Sequence, residues 1–388
     1  MKKGLSTLMV AVLGLGASPA LAESACSVAP PTHHLVLAQA LPAGDREVRG
    51  VALSPDETLV LAGSNDASVR VWRIADGKLV MHSTPMDGPV WSVAFTGDGR
   101  RVLATGPMGP GEGNFSTNLW EVETGAKIVS RRGGDLGLVT DSSTFIATEL
   151  PESPLAVGFV DLIDGRMAAR WTPRFYENAW AYAHGPAGPM VLVSNDDGSA
   201  RFADARGERP LDTQPKRLGS AKVALSADGR IGYHQRAAWD AETGRKLYDV
   251  AMGRDHSAIQ NPIFSPDSRI LLVERLNSKE GSDVLAMNAR TGAPIARICG
   301  AAITEQAVSG DGRRYVANTQ TGSAVWDVAT GAVVALLDTE RFDIWDFALS
   351  RDGRVLVTGS IDGVVRVWRI EPEDGPVPNI PAKQRKSH

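Results

Sequence analysis

The sequence predicts an all-β protein assembled from short repeated units. Its 388 residues include 40 glycines and 23 prolines spread along the chain, which favours many turns over long helices. Hydrophobic residues make up 43% of the chain, enough for a packed core, and this excludes an intrinsically disordered protein. The third observation is a sequence repeat of about forty residues that recurs along the chain, and this repeat predicts the architecture.

Each copy of this repeat contains an apolar strand, a Ser-x-Asp-Gly type of turn, a second strand, a polar turn and a third strand that ends near a tryptophan, the closing residue. One copy opens at residues 51–56 and another at residues 348–353. A fourth short strand follows the glycine after the closing residue. Four hairpin-linked strands per unit predict a single β-propeller of about eight four-stranded blades, with seven blades as the alternative. The closing residues are Trp72, Trp120, Val160, Phe202, Trp239, Met287, Trp326 and Trp368, of which Val160 and Phe202 belong to degraded copies.

The register of the repeats also predicts how the ring closes. A strand at about residues 34–41 precedes the first complete unit and is expected to pair with the strands that end at Trp368, which would remove the exposed sheet edge. No linker interrupts residues 34–370, so we expect one propeller domain there. The residues that follow, 371–388, are rich in proline and then basic, and they predict a disordered tail.

The first residues have the pattern of a secretory signal peptide. Lys2 and Lys3 precede an apolar run that ends at about Ala17, and a small-residue cleavage pattern follows at residues 20–22. The run is too short for a permanent membrane span, and a buried N-terminal helix is the alternative. We therefore expect a signal peptide at residues 1–22, cleavage after Ala22, and a periplasmic or secreted protein.

The closing pairs Trp239-Asp240 and Trp326-Asp327 resemble those of the WD-repeat family. Asp66 and Asp362 stand where that family places an aspartate in the turn before the third strand. This resemblance covers nearly the whole mature chain and implies a β-propeller. The family's Gly-His pair is absent from every unit, so we expect a divergent relative whose blades depend more on apolar packing.

The sequence contains few patterns typical of catalysis, metal binding or nucleic-acid binding. Arginine and lysine (41) do not exceed aspartate and glutamate (45), which argues against nucleic acid as a partner. Neither a nucleophile elbow nor a P-loop nor a zinc-protease motif is present, and the seven histidines have no ligand-like spacing. We expect no catalytic residue, no metal and no cofactor. Cys26 and Cys299 lie on different blades by the repeat register, which favours a buried or unpaired Cys299 over a disulfide.

Aligning the units on their Ser-x-Asp turns identifies one position at the channel mouth, just inside the innermost strand. Around the ring it holds Arg49, Trp91, Asp135, Trp180, Ala221, Gln260, Thr304 and Trp345. Three tryptophans and an arginine are typical of binding interfaces, although a tryptophan there also packs against the next blade. Adjacent loops add Phe115 and Arg275. The predicted partner-binding residues are Arg49, Trp91, Phe115, Asp135, Phe175, Tyr176, Trp180, Arg341, Phe342 and Trp345.

Two functions follow from these patterns. The first is an exported, non-enzymatic scaffold, monomeric by itself, that binds a protein or peptide on its top face. The alternative is a cofactor-binding propeller similar to quinoprotein dehydrogenases or haem-containing nitrite reductases, because residues 239–244 look like the start of a quinoprotein blade motif. Tyr248 or an aliphatic residue stands where that motif ends in tryptophan, which favours the scaffold.

Overall fold

The computed structural model contains 31 β-strands and no helix within the residues that it describes. The described residues are 30–108, 115–132, 145–150, 153–161, 167–171, 177–195, 197–213, 222–252, 256–277, 282–319, 322–337 and 344–372.

The strands form eight antiparallel sheets, numbered here in chain order from the first complete repeat. Sheet 1 comprises β2 (Val48–Leu53), β3 (Leu59–Ser64), β4 (Val69–Arg73) and β5 (Leu79–His82). Sheet 2 comprises β6 (Ser92–Phe95), β7 (Arg101–Pro107), β8 (Phe115–Glu121) and β9 (Lys127–Arg132). Sheet 3 comprises β10 (Phe145–Leu150), β11 (Ser153–Asp161) and β12 (Met167–Trp171). Sheet 4 comprises β13 (Glu177–Gly185), β14 (Gly188–Asn195), β15 (Ala200–Asp204) and β16 (Gly207–Pro210).

The second half of the chain continues the same order. Sheet 5 comprises β17 (Val223–Leu225), β18 (Ile231–His234), β19 (Ala237–Asp240) and β20 (Lys246–Asp249). Sheet 6 comprises β21 (His256–Phe264), β22 (Ile270–Asn277), β23 (Asp283–Asn288) and β24 (Pro294–Cys299). Sheet 7 comprises β25 (Ala301–Val308), β26 (Arg314–Thr319), β27 (Ser323–Asp327) and β28 (Val333–Leu337). Sheet 8 comprises β29 (Ile344–Leu349), β30 (Val355–Ser360), β31 (Val364–Pro372) and β1 (His33–Pro42).

The prediction of an all-β propeller is confirmed. Seven sheets have the four strands of a blade, and sheet 3 has three described strands. Val160 closes that repeat and lies in β11, so its strands occupy the second, third and outermost positions of a unit. The residues where its innermost strand is predicted lie outside the described ranges. Innermost strands contact one another around the ring: β29 with β2, β2 with β6, β13 with β17, β17 with β21, and β25 with β29.

The N-terminal strand closes the ring as predicted. β1 is the outermost strand of sheet 8 and pairs antiparallel with β31, with Leu35 opposite Ile370 and Leu41 opposite Val365. The chain just before β1 also reaches sheet 7, where the amide of Thr32 donates to the carbonyl oxygen of Val334 at 3.1 Å. The first described residues therefore join the last two sheets.

The Ser-x-Asp phrase is conserved in geometry from sheet to sheet because it satisfies the backbone of a tight turn. In sheet 5, Ser226 Oγ donates to Asp228 Oδ1 at 2.7 Å and accepts the amide of Ile231 at 2.9 Å. The same aspartate oxygen accepts the amide of Arg230 at 3.1 Å. A serine and an aspartate two residues apart thus bind each other and accept two backbone amides of the loop that joins the first and second strands.

Apolar packing between sheets forms the core. Trp120 and Trp326 are fully buried third-strand residues, and Trp326 lies 5.7 Å from the ring of Tyr315 between sheets 6 and 7. The indole Nε1 atoms of both tryptophans lack a hydrogen-bond partner. Asp66 is bound instead by Arg70, whose Nη2 donates to Asp66 Oδ2 at 2.8 Å. Apolar packing, and no hydrogen bond of the indole nitrogen, therefore stabilises Trp120 and Trp326.

Cys299 is buried, as one of the two expected states required, but the preference for a cysteine without a disulfide is wrong. Cys299 ends β24, is 9% exposed and is disulfide-bonded. The chain has one other cysteine, Cys26, which lies outside the described residues. The repeat register compared only the positions of strands, whereas the chain ahead of β1 reaches sheet 7, the direct neighbour of the sheet that holds Cys299.

Candidate functional site

The top face of the propeller is formed by the loops that enter the innermost strands and by the turns that join the second and third strands. Arg49 is the second residue of β2, Trp345 is the second residue of β29, and Trp91 directly precedes β6. Phe115 begins β8, at the end of the loop between the second and third strands of sheet 2. Strand direction therefore places these four side chains at one end of the ring, and we name them the rim.

Arg49 and Trp345 form a cation–π contact across the seam between sheets 1 and 8. The guanidinium carbon lies 4.2 Å from the centre of the indole ring, and both residues are half-buried. Arg49 Nη2 also donates to Glu47 Oε2 at 3.3 Å, which balances its charge. The Nε1 atom of Trp345 and the Nε atom of Arg49 have no hydrogen-bond partner. The stacked pair presents a flat, largely neutral surface.

Trp91 and Phe115 form the second half of the rim. Their ring centres are 5.6 Å apart with an interplanar angle of 71°, an edge-to-face contact. Trp91 is 46% exposed, whereas most of the other exposed large hydrophobic residues of the described chain lie on outermost strands. The amide of Trp91 donates to the carbonyl oxygen of Thr105 at 2.9 Å, which fixes its backbone to sheet 2.

Gly50 lets the two halves of the rim approach each other. A Cβ atom built on Gly50 would lie 3.3 Å from the carbonyl oxygen of Trp91 and 3.3 Å from the side chain of Val93. The missing side chain therefore allows β2 and β6 to pack closely. The rim spans three consecutive sheets, 8, 1 and 2, on either side of the ring closure.

The remaining predicted partner-binding residues have no described side chain. Trp180 is the fourth residue of β13, the innermost strand of sheet 4. Asp135, Phe175, Tyr176, Arg341 and Phe342 lie outside the described residues.

The expectation that Arg275 lies on the binding face is wrong. It was expected to rise with its loop, but its side chain is fully buried, and its Nε and Nη2 atoms donate to Asp283 at 2.8 and 3.0 Å. Arg297 binds the same carboxylate. A buried charge needs such pairing, so this arginine is a structural part of sheet 6.

Asp346 was missed from the sequence and lies directly below the rim. It follows Trp345 in β29, and its Oδ2 atom bridges the seam between sheets 8 and 1 by accepting the amide of Val51 at 2.8 Å. Its Oδ1 atom accepts the amide of Phe347, in its own strand, at 2.9 Å. Solvent reaches this half-buried side chain, although protein atoms crowd around it. Loss of hydration, with a further contribution from the charge of Glu305, raises the pKa of Asp346 to about 7.

Glu305 occupies the same repeat position on the neighbouring sheet. Both carboxylates stand four residues before the turn serine of their repeat, Ser309 and Ser350. Glu305 is half-buried, and it makes no hydrogen bond or ion pair with any described residue. Burial raises its pKa above the ordinary value. This shared offset from the turn serine is the signal that could have identified both residues.

The described residues hold no group of three or more histidine, cysteine, aspartate or glutamate side chains arranged to bind a metal ion. In the same part of the chain, no helix is long and apolar enough to cross a membrane.

Comparison with known proteins identifies the repeat. The family model of the WD domain, G-beta repeat, matches residues 36–73 and 331–369. These two stretches meet in space, since the first contains most of β1 and the second contains β29 to most of β31. An uncharacterized WD repeat-containing protein of Synechocystis sp., sll1491, is 42% identical over 64 residues. That match covers 16% of this chain and 18% of the relative, so it spans less than a fifth of either protein.

The crystal structure of the computationally designed Ika8 protein has a similar fold. The two structures superpose with a TM-score of 0.65 and 20% sequence identity, over 86% of this chain and 99% of the designed one. At this identity the likeness shows the fold alone. Two stretches of the chain therefore match the WD repeat, and the chain as a whole has a propeller architecture similar to that of WD-repeat proteins.

Proposed function

We propose that the protein is an exported, non-enzymatic scaffold that binds a protein or peptide through the rim on its top face. The observation that carries this proposal is the pair of ring contacts across three adjacent sheets, Arg49 on Trp345 and Trp91 on Phe115. Tryptophan and arginine dominate the energetics of protein interfaces, and a rigid ring presents them without a large ordering cost on binding. The WD-repeat fold is typical of protein-interaction scaffolds, which supports the same proposal.

Export is proposed from the N-terminal sequence and has one supporting structural feature. The disulfide at Cys299 is the kind of bond that forms and persists in oxidising compartments such as the bacterial periplasm. N-terminal sequencing of the protein purified from its host tests this directly. We expect the mature chain to begin at Glu23, and a chain that retains Met1 would contradict export through this signal.

The binding role is tested by affinity capture from the host's exported fraction. Trp91→Ala and Trp345→Ala are expected to lose the partner while their circular dichroism and unfolding midpoints stay close to those of the parent. Leu79→Ala is the matched control, because Leu79 is 45% exposed on an outermost strand away from the rim. Unchanged capture by both tryptophan variants would contradict the assignment of the site.

The same purification distinguishes the cofactor-binding alternative. A native mass spectrum with a tightly bound small molecule of several hundred daltons, or a visible absorption band, would favour a cofactor propeller. A co-purifying polypeptide that depends on Trp345 would favour the scaffold.

A further inference from the structure

A hollow of about 600 Å³ opens on the face opposite the rim, at the seam between sheets 7 and 8. The turns that follow the first strands of these two sheets meet the end of β31 there. We name this concavity the seam hollow. A concavity of this size is typical of a ligand site. The described residues that line it include four arginines and two aliphatic residues, Arg313, Arg314, Arg354, Arg369, Val355 and Ile370.

Two of these arginines have guanidinium groups without a hydrogen-bond partner among the described residues. Arg313 and Arg354 each stand four residues after the turn serine of their repeat, and their side chains are 81% and 82% exposed. Their Nε atoms lie 3.6 Å from Asp311 Oδ2 and 3.7 Å from Asp352 Oδ2, which is too far for a hydrogen bond. Two planar sets of N–H donors are therefore available to an acceptor.

The described acids that line the seam hollow are already bound. Asp352 Oδ1 accepts the hydroxyl of Ser350 at 2.8 Å and the amide of Arg354 at 3.0 Å. Glu371 is paired with Arg369, whose Nε atom lies 3.2 Å from Glu371 Oε1. The hollow therefore has available donors beside acids that are engaged, and this arrangement fits an anionic group of a ligand better than a cationic one.

Contacts between the two sheets hold the seam hollow in shape. The amide of Asp311 donates to the carbonyl oxygen of Arg351 at 2.8 Å, which joins the turn of sheet 7 to the turn of sheet 8. A Cβ atom built on Gly353 would lie 2.4 Å from Cγ of Arg314, so this glycine allows the two turns to pack closely. A site that is already formed loses little conformational freedom when it binds a ligand.

The seam hollow also has an apolar wall. Val355 is half-buried, and Ile370 is 6% exposed. The amide of Ile370 donates to the carbonyl oxygen of Arg354 at 2.8 Å, which fixes the aliphatic wall beside the arginine. A ligand that satisfies both parts of the hollow needs an anionic end and an apolar body.

We propose that the seam hollow binds an apolar group that carries a carboxylate, with the carboxylate against the guanidinium groups of Arg313 and Arg354 and the apolar group against Val355 and Ile370. A free organic acid and the C-terminal carboxylate of a peptide both have this chemistry. The site goes beyond the proposed function, because it lies on the opposite face from the rim and uses none of its residues.

The test uses two pairs of probes that differ in charge and little in shape. The first pair is hexanoate and hexanamide, and the second is the tripeptide acetyl-Ala-Val-Leu with a free or an amidated C-terminus. Binding is measured at low salt by saturation-transfer difference NMR titration of the parent, Arg313→Gln and Arg354→Gln. Arg269→Gln is the matched control, because Arg269 holds the same repeat position on sheet 6, is 84% exposed and does not line the hollow.

We expect hexanoate to bind at least about tenfold more tightly than hexanamide, because charge-assisted hydrogen bonds are the stronger ones. It should exceed acetate by a similar factor, because acetate lacks the apolar body. The preference for the carboxylate should disappear in Arg313→Gln and Arg354→Gln and persist in Arg269→Gln and Trp345→Ala. A peptide acid that binds more tightly than hexanoate would identify a peptide C-terminus as the natural ligand, and the reverse order would identify a free organic acid.

Four results would overturn the inference. Equal binding of each acid and its amide would show that the hollow does not recognise a carboxylate. A preference that survives both Arg313→Gln and Arg354→Gln would place the ligand elsewhere. A preference that is lost equally in Arg269→Gln would reveal a general effect of charge. Binding of no probe would also reject the site. Each of these results leaves the proposed function to the capture experiment with the tryptophan variants.

Discussion

Replacing Asp346 by asparagine isolates the pH dependence that this half-buried carboxyl gives to stability. Its pKa is about 7 in the folded protein, against an ordinary value of 3.8. Between these values the folded protein holds a proton that the unfolded chain has released. The contribution of Asp346 to the free energy of unfolding is therefore largest below about pH 4 and is lost as the pH rises from about 4 to 7. A shift of about three units, at about 1.4 kcal/mol each, gives a loss of about 4 kcal/mol at most.

The assay is urea unfolding of the parent protein and Asp346→Asn, followed by tryptophan fluorescence from about pH 4 to about pH 8. Asparagine has only one acceptor oxygen for the amides of Val51 and Phe347, so a pH-independent cost of about 1 kcal/mol is expected. Against that constant offset, the variant should gain stability relative to the parent as the pH rises. Titrating groups other than Glu305, whose charge acts on Asp346, are common to both proteins and cancel. A difference that stays constant within about 0.5 kcal/mol over this range would refute the desolvation of Asp346.

Three further outcomes are expected. Gly106→Ala should lower the free energy of unfolding by about 1–3 kcal/mol, because its Cβ atom would lie 1.9 Å from the carbonyl oxygen of Pro89; urea titration measures it, with Gly50→Ala as a milder control. Reduction with dithiothreitol should cost about 2–5 kcal/mol in the parent and nothing in Cys299→Ser, measured by thermal unfolding. Burial lowers the pKa of His234 to about 4. About 3 kcal/mol of stability should therefore be lost as the pH falls from about 6.5 to 4, by calorimetry, and His234→Gln should lack this loss.

Most of the fold could be predicted from the sequence repeat, because each part of the repeat has a local physical cause. The serine and aspartate of the first turn satisfy backbone amides, as Ser226 and Asp228 do, and the third-strand tryptophan fills the space between sheets, as Trp326 does. Such features recur wherever the sequence recurs. The pairing of β1 with β31 followed from the register alone.

The candidate site was only partly predictable, since it depends on contacts between units. The alignment placed Arg49, Trp91 and Trp345 at one position, but it could not show that Arg49 lies over the ring of Trp345 across the seam between sheets 1 and 8. Arg275 was misjudged because a loop position says nothing about an aspartate on the next strand. Asp346 and Glu305 could not be predicted, because in the sequence each resembles an exposed charged residue, and only the structure shows that its carboxyl is partly buried.

The closure of the ring by β1 sets the order in which the protein can be completed. Among the described strands β1 is made first and its partner β31 last, so Leu35 cannot pair until Ile370 has been made. Contacts of such long sequence separation are entropically costly and slow to form. Until β31 has been made, β1 is an unpaired sheet edge open to aggregation. A chain that stops before β31 leaves two edges open instead of one seam, so truncation near the C-terminus should be far more harmful than the small number of lost residues suggests.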